Sequence, residues 1–162
     1  MKKIIGVMGA GEKQATEEDI AYAYKIGRLV GSIGAVLLCG GMSGTMESSA
    51  KGAKETGGLT IGIGPTKEKS DMNPYIDISI PTGMHAGRNF LNVLSSDILI
   101  FVGVGSPGTL SELAFALQLE KPIFIARYSS VLKNYLEDFA PSKAVFIDNI
   151  EDLKIQLDRF IN

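Results

Sequence analysis

Cysteine is almost missing from this sequence. Cys39 is the only one, so no internal disulfide can form, and the chain fits a reducing, cytoplasmic setting. Histidine is equally scarce: His85 stands alone, and one histidine with one cysteine argues against a transition-metal site, so no metal is expected. No apolar stretch approaches the roughly 20 residues that span a bilayer, so no membrane association is expected. The opening "MKKIIGVMGAGEK" superficially resembles a signal peptide. Its apolar run stops at Glu12, without a convincing cleavage site, and reads better as a first strand. Runs of like charge are absent too. Sixteen Lys and Arg stand against 18 Asp and Glu, a formal net charge of −2, and no basic stripe offers a nucleic-acid surface.

Apolar material and glycine are what the chain does have. Of 162 residues, 45% are hydrophobic and 21% charged, enough apolar material for a real core in one domain over residues 1–162. Nineteen are glycine, above the usual share of about 7%. They cluster where apolar runs stop: Gly9 and Gly11, then Gly40, Gly41 and Gly44, then Gly103, Gly105 and Gly108.

Seven short apolar runs recur at 3–9, 35–40, 59–64, 76–80, 97–104, 122–126 and 144–148. Most do not alternate with polar residues and read as strands buried on both faces; "IDISI" (76–80) alternates and belongs nearer an edge. Helical patterns lie between them, over 16–32, 44–57, 86–95, 109–120, 130–139 and 149–160. The first starts at "TEED", a threonine cap followed by acids. This alternation predicts an α/β protein, a three-layer Rossmann-like domain with a mostly parallel sheet of about seven strands. In such sheets, ligands bind beyond the carboxyl ends of the strands, where the strand order reverses. All three glycine clusters fall at strand ends.

Glycine-rich strand-to-helix turns suit phosphate because bare backbone approaches closely and free N–H groups point at the anion. The Walker pattern is absent. The dinucleotide pattern would need a glycine at position 14, which is glutamine, and an acid after the second strand, which ends "LLCGG". Three glycine turns at one sheet edge nevertheless favour a shared anionic ligand over tight turns alone.

Three segments carry a resemblance. "GGMSGTM" (40–46), "GMHAGRN" (83–89) and "GVGSPGTLSE" (103–112) are similar to the patterns GGGxxGLM, MHxRK and PGGxGTxxE of the LOG-like, or "lysine decarboxylase-like", Rossmann proteins. The order and spacing agree over nearly the whole chain, which looks closest to a short bacterial branch near the molybdenum-cofactor carrier proteins. The resemblance implies a homodimer or higher homo-oligomer that binds a small phosphorylated ligand and requires no cofactor. A bound nucleotide or molybdenum cofactor is the ligand it could hold. The enzymes of this family hydrolyse nucleoside 5′-monophosphates to free base and ribose 5-phosphate. Decarboxylation has no support, because no pyridoxal-binding signature is present.

Residue by residue, the resemblance assigns Arg88 and Glu112 to the ribose and the glycosidic bond. It assigns Gly105, Ser106, Gly108 and Thr109 to one phosphate loop, and Gly40, Gly41, Ser43, Gly44 and Thr45 to a second; Gly9 and Gly11 form the first turn. Departures occur at Val104, Ser106 and Pro107 in the phosphate loop, at Asn89 after the arginine, and at Ser111, where the enzymes often carry a further glutamate. An extra residue also separates His85 from Arg88.

The chemistry of the two charged residues fits. A carboxylate stabilises charge developing on a ribose ring and activates water; an arginine holds phosphate or hydroxyls bidentately. Local readings compete. "TLSE" (109–112) is also a capping box, with Thr109 capping and Glu112 reaching back. Arg88 is also a helix-start arginine, though a cation there opposes the helix dipole and calls for an anionic partner. Ser43 and Thr45 could cap a helix or bind phosphate, and Cys39 reads as a small buried residue. Two functions follow: a nucleotide-binding phosphoribohydrolase, favoured by the retained Arg88 and Glu112, and a non-enzymatic carrier of molybdenum cofactor or a nucleotide, favoured by the altered loop.

Overall fold

The computed structural model describes residues 1–161; Asn162 lies outside the described residues. The strands are β1 (Ile4–Gly9), β2 (Val36–Cys39), β3 (Leu59–Gly64), β4 (Ile78–Pro81), β5 (Ile98–Val102), β6 (Ile123–Ala126) and β7 (Val145–Ile147). The helices are α1 (Glu17–Ser32), α2 (Thr45–Glu55), α3 (Arg88–Ser95), α4 (Pro107–Gln118), α5 (Ser130–Phe139) and α6 (Ile150–Ile161). All strands join one sheet in the order β4-β3-β2-β1-β5-β6-β7, and every pairing is parallel. Parallel pairing follows from the crossover between successive strands, an α-helix in every case but β3 to β4, where a long connection with one short 3-10 turn crosses over, and the three-layer Rossmann-like arrangement follows with it. The alternating "IDISI" segment becomes β4 at the sheet edge, with Ile78 and Ile80 exposed.

Side chains along the central strands alternate between two cores. Ile98, Ile100 and Val102 join Ile5, Val7 and Leu37 under α1, α2 and α6. Leu99 and Phe101 join Met8, Leu38 and Ile125 under α3, α4 and α5. Each run is apolar throughout because both faces are covered. Helix α1 starts as its sequence suggests: Thr16 accepts from the Asp19 N–H at 3.1 Å, and the Asp19 carboxylate accepts from the Thr16 N–H at 3.2 Å. Several glycines serve packing rather than a ligand. Helices α1 and α2 approach so closely that a β-carbon at Gly27 would lie 1.9 Å from the Ser49 carbonyl oxygen, and one at Gly52 would lie 2.2 Å from that of Tyr24.

The strand order reverses beside β1. From there the chain runs outward through β2, β3 and β4 in one direction, and through β5, β6 and β7 in the other. The carboxyl ends of β1 and β5 therefore border the crevice where α/β sheets bind ligands.

Candidate functional site

A cavity of about 140 Å³ opens at this switch point. Gly9 and Gly11 from the β1 turn, Gly40 from the β2 turn, Met46 from α2, Arg88 and Asn89 from α3, and Gly108, Thr109 and Glu112 from α4 with its cap Ser106 line it. Arg88 and Glu112, 24 positions apart in sequence, thus face one small space. Gly41, Ser43, Gly44, Thr45 and Gly105 do not line it. Thr45 is buried, and its hydroxyl donates to the Ala10 carbonyl at 2.8 Å, tying the first turn to α2. Gly44 sits at φ 71° directly against the Gly11 and Glu12 backbone, where a β-carbon would lie 2.5 Å from the Glu12 nitrogen. His85 is exposed, ahead of the cavity.

Helix α4 begins two residues earlier than the periodicity of "TLSE" indicates. Ser106 is the N-cap, accepting from the Thr109 N–H at 3.2 Å, and Pro107 occupies the first helical position, where its fixed φ suits the helix. Thr109 is therefore not the cap, and Glu112 does not turn back to it. The Glu112 side chain points inward instead, where its Oε1 accepts from Asn92 Nδ2 at 2.8 Å. Capping at Ser106 leaves two backbone N–H groups on the cavity wall, those of Ser106 and Gly108, without a protein partner.

The electrostatics follow from burial. Glu112 is 6% exposed, and burial pushes its carboxyl up to about 7, against the opposing effects of the Asn92 hydrogen bond and the Arg88 charge. Burial also pushes the Arg88 guanidinium down, while the Glu112 charge opposes that shift. The two form no ion pair within 4.0 Å, and Arg88 Nε is buried without a hydrogen-bond partner. Arg88 fits only because residue 40 lacks a side chain: a β-carbon on Gly40 would lie 1.9 Å from Arg88 Nη1. Cys39 is fully buried with its thiol pushed up to about 11, unsuited to nucleophilic work. Among the described residues no cluster of three or more His, Cys, Asp or Glu could hold a metal ion.

Two asparagines, Asn92 and Asn73, escaped the sequence reading, and Asn89 entered it only as a departure from the family pattern. Asn92 holds Glu112. Asn89, in the place of a family lysine, donates to Ser111 Oγ at 2.9 Å and fastens α3 to α4. Asn73 donates through Nδ2 to the Met42 carbonyl at 2.9 Å and the Gly41 carbonyl at 3.2 Å, clamping the β2 turn from outside. Asn89 and Asn92 carried a readable signal, since asparagines three residues apart on a short amphipathic helix are poor helix formers with no other evident purpose.

A parallel sheet whose switch point holds an arginine and two free backbone N–H groups defines a Rossmann-like protein with an anion-type pocket. The chain belongs to the SLOG cluster4 family, whose model matches residues 2–153. It is 45% identical over 141 residues to a protein of Archaeoglobus fulgidus described only as uncharacterized, covering 87% of this chain and 91% of that one. Among solved structures it is similar to the molybdenum cofactor binding protein from the phototrophic bacterium Rippkaea orientalis, with a TM-score of 0.95 and 40% identity over 100% of this chain and 99% of that one. It is also similar to the molybdenum cofactor carrier protein from Chlamydomonas reinhardtii, with a TM-score of 0.89 and 32% identity over 98% of both chains. Among the described residues no helix is long and apolar enough to cross a membrane.

Proposed function

We propose that this protein is a cytoplasmic, non-enzymatic binding or carrier protein whose cargo is the molybdenum cofactor or a similarly phosphorylated small molecule. Residues 1–162 serve as one binding domain. The observation that carries this reading is Arg88, a half-buried guanidinium beside glycine turns whose Nε is itself buried and unpartnered. A buried donor without an acceptor is costly, and an anionic ligand removes that cost. Gly9, Gly11, Gly40, Ser106, Gly108 and Thr109 surround the anion, and Gly41, Ser43, Gly44, Thr45 and Gly105 hold the turns in shape. The enclosed space of about 140 Å³ is well below the 300–1,000 Å³ of sites that swallow a drug-sized ligand, so it takes the phosphorylated end of the cargo. Similarity to two molybdenum-cofactor proteins along the full chain supports the choice of cargo.

A second reading, nucleoside-monophosphate hydrolysis, draws on Arg88 and Glu112 lining the same cavity. The carrier reading is preferred because the solved structures similar to the whole chain are molybdenum cofactor proteins, and because Ser106 and Pro107 alter the phosphate loop of the hydrolases. One experiment weighs both. Free molybdenum cofactor and, separately, AMP, GMP, CMP and UMP are incubated with the protein. Cofactor binding that disappears in Arg88→Ala, with no base released from any nucleotide, supports the carrier. Base release that disappears in Glu112→Ala overturns it in favour of the hydrolase. We also place a second copy of the chain on the outer face of α3, α4 and α5, where Phe90, Leu94, Leu110, Tyr135 and Phe139 are exposed.

A further inference from the structure

We propose that Asn92 is the positioning residue of this cavity: its side-chain amide anchors Glu112 Oε1 and turns over when that carboxyl gains or loses its proton, so that the carboxyl is held in place in both of its protonation states. The inference concerns the same cavity and depends on the binding reading above for its use, though not for its test. Asn92 is 0% exposed, and its amide makes one hydrogen bond, the 2.8 Å contact to Glu112. Its Oδ1 is buried with no partner. A buried amide that leaves an acceptor unsatisfied is unfavourable, and a leucine of similar size at this buried position would avoid that cost. The polar group at this position is accounted for only by Glu112.

The orphaned oxygen suits a second arrangement. An ionised Glu112 accepts a hydrogen bond and needs the amide nitrogen. A protonated Glu112 donates one and needs an acceptor. A half-turn about the last side-chain torsion of Asn92 exchanges its nitrogen for its oxygen, so one residue anchors the carboxyl in both states. Around the carboxyl, α3 supplies the Arg88 cation and β2 the Cys39 thiol. The wall residues from β1, namely Val7, Met8 and Gly9, and Met46 from α2 do not titrate. Burial pushes Glu112 up to about 7, so both arrangements are populated near neutral pH. Oε2 makes no hydrogen bond to protein and is the oxygen left for a ligand.

The test needs no ligand. The Glu112 side-chain carboxyl is labelled with carbon-13 and its shift followed against pH by NMR in wild type and Asn92→Leu. Asn92→Leu loses the bond to the carboxylate and the weaker bond to the protonated acid, and the difference between them raises the midpoint by about 1 pH unit. An unchanged midpoint overturns the proposal. In wild type, the Asn92 side-chain NH₂ resonances are expected to move with the midpoint of Glu112, and to stay still in Glu112→Gln. Asn92 resonances that ignore pH in wild type overturn the proposal even if Asn92→Leu fails to fold. Because no nucleotide or cofactor is present, failure here is distinct from failure of the carrier reading.

Discussion

Replacing Glu112 with glutamine removes one ionisation from the cavity wall and changes little else in shape. The glutamine oxygen still accepts from Asn92 Nδ2. The consequence lies in how stability depends on pH. Burial raises the Glu112 carboxyl from 4.5 to about 7 in the folded protein, while the unfolded chain keeps the ordinary value. Between those values the folded state holds more protons than the unfolded one. Stability from this group is therefore fully present below about 4.5 and is lost as pH rises through 7. At 1.36 kcal/mol per pH unit, the loss totals about 3 kcal/mol. Glu112→Gln has no such loss. Its stability relative to wild type is expected to grow by about 3 kcal/mol between pH 4.5 and pH 8, all other titrating groups being common to both chains. Urea unfolding at pH 4.5, 6 and 8, followed by far-ultraviolet circular dichroism, measures the gap. A gap that stays constant across this range refutes the burial argument.

Three further outcomes follow from other contacts. Gly40→Ala puts a β-carbon 1.9 Å from Arg88 Nη1. The flexible guanidinium yields, so thermal stability stays near wild type while affinity for a phosphorylated ligand such as AMP or molybdenum cofactor falls about tenfold to a hundredfold, read by calorimetry. Gly27→Ala meets the rigid Ser49 carbonyl at 1.9 Å instead, and costs about 3 kcal/mol in urea unfolding as α1 and α2 separate. If the proposed second copy packs on this face, Leu110→Asp, which places a charge on the exposed apolar face of α4, gives a monomer in light scattering where wild type gives a dimer, leaving far-ultraviolet dichroism unchanged.

The architecture was legible because most strands are continuous apolar runs and most crossovers carry an amphipathic helix. Two covered sheet faces demand that pattern, and the element boundaries shifted by a residue or two. The edge position of β4 showed in its alternation. The site was half legible. Arg88 and Glu112 could be paired only through the family resemblance, since nothing in local spacing brings α3 and α4 together. The glycines divide between the cavity wall, at Gly9, Gly11, Gly40 and Gly108, and turns outside it, at Gly41, Gly44 and Gly105. Their number also reflects the close α1–α2 packing at Gly27 and Gly52. Thr45 shows the same limit: a hydroxyl at a helix start suits phosphate, yet its partner is the Ala10 carbonyl. Asn73 was invisible, because its role depends on the long connection after β3 folding back over the β2 turn.

The start of α4 posed a choice between capping a helix and cradling an anion, and its geometry divides the work between the two. A helix start has four backbone N–H groups without helical acceptors. Here Ser106 satisfies that of Thr109, and Pro107 has none to offer. The N–H groups of Ser106 and Gly108 remain for a ligand. A proline at the first helical position thus subtracts one donor from the cradle while fixing the turn. Much of the positive charge must then come from Arg88, across the cavity on α3. Holding the two sides together falls to the neutral link from Asn89 to Ser111 and to the Asn92–Glu112 contact. Binding strength therefore depends on the α3–α4 contact as much as on the glycine loops, which is why the polar residues buried between these helices are the ones to test first.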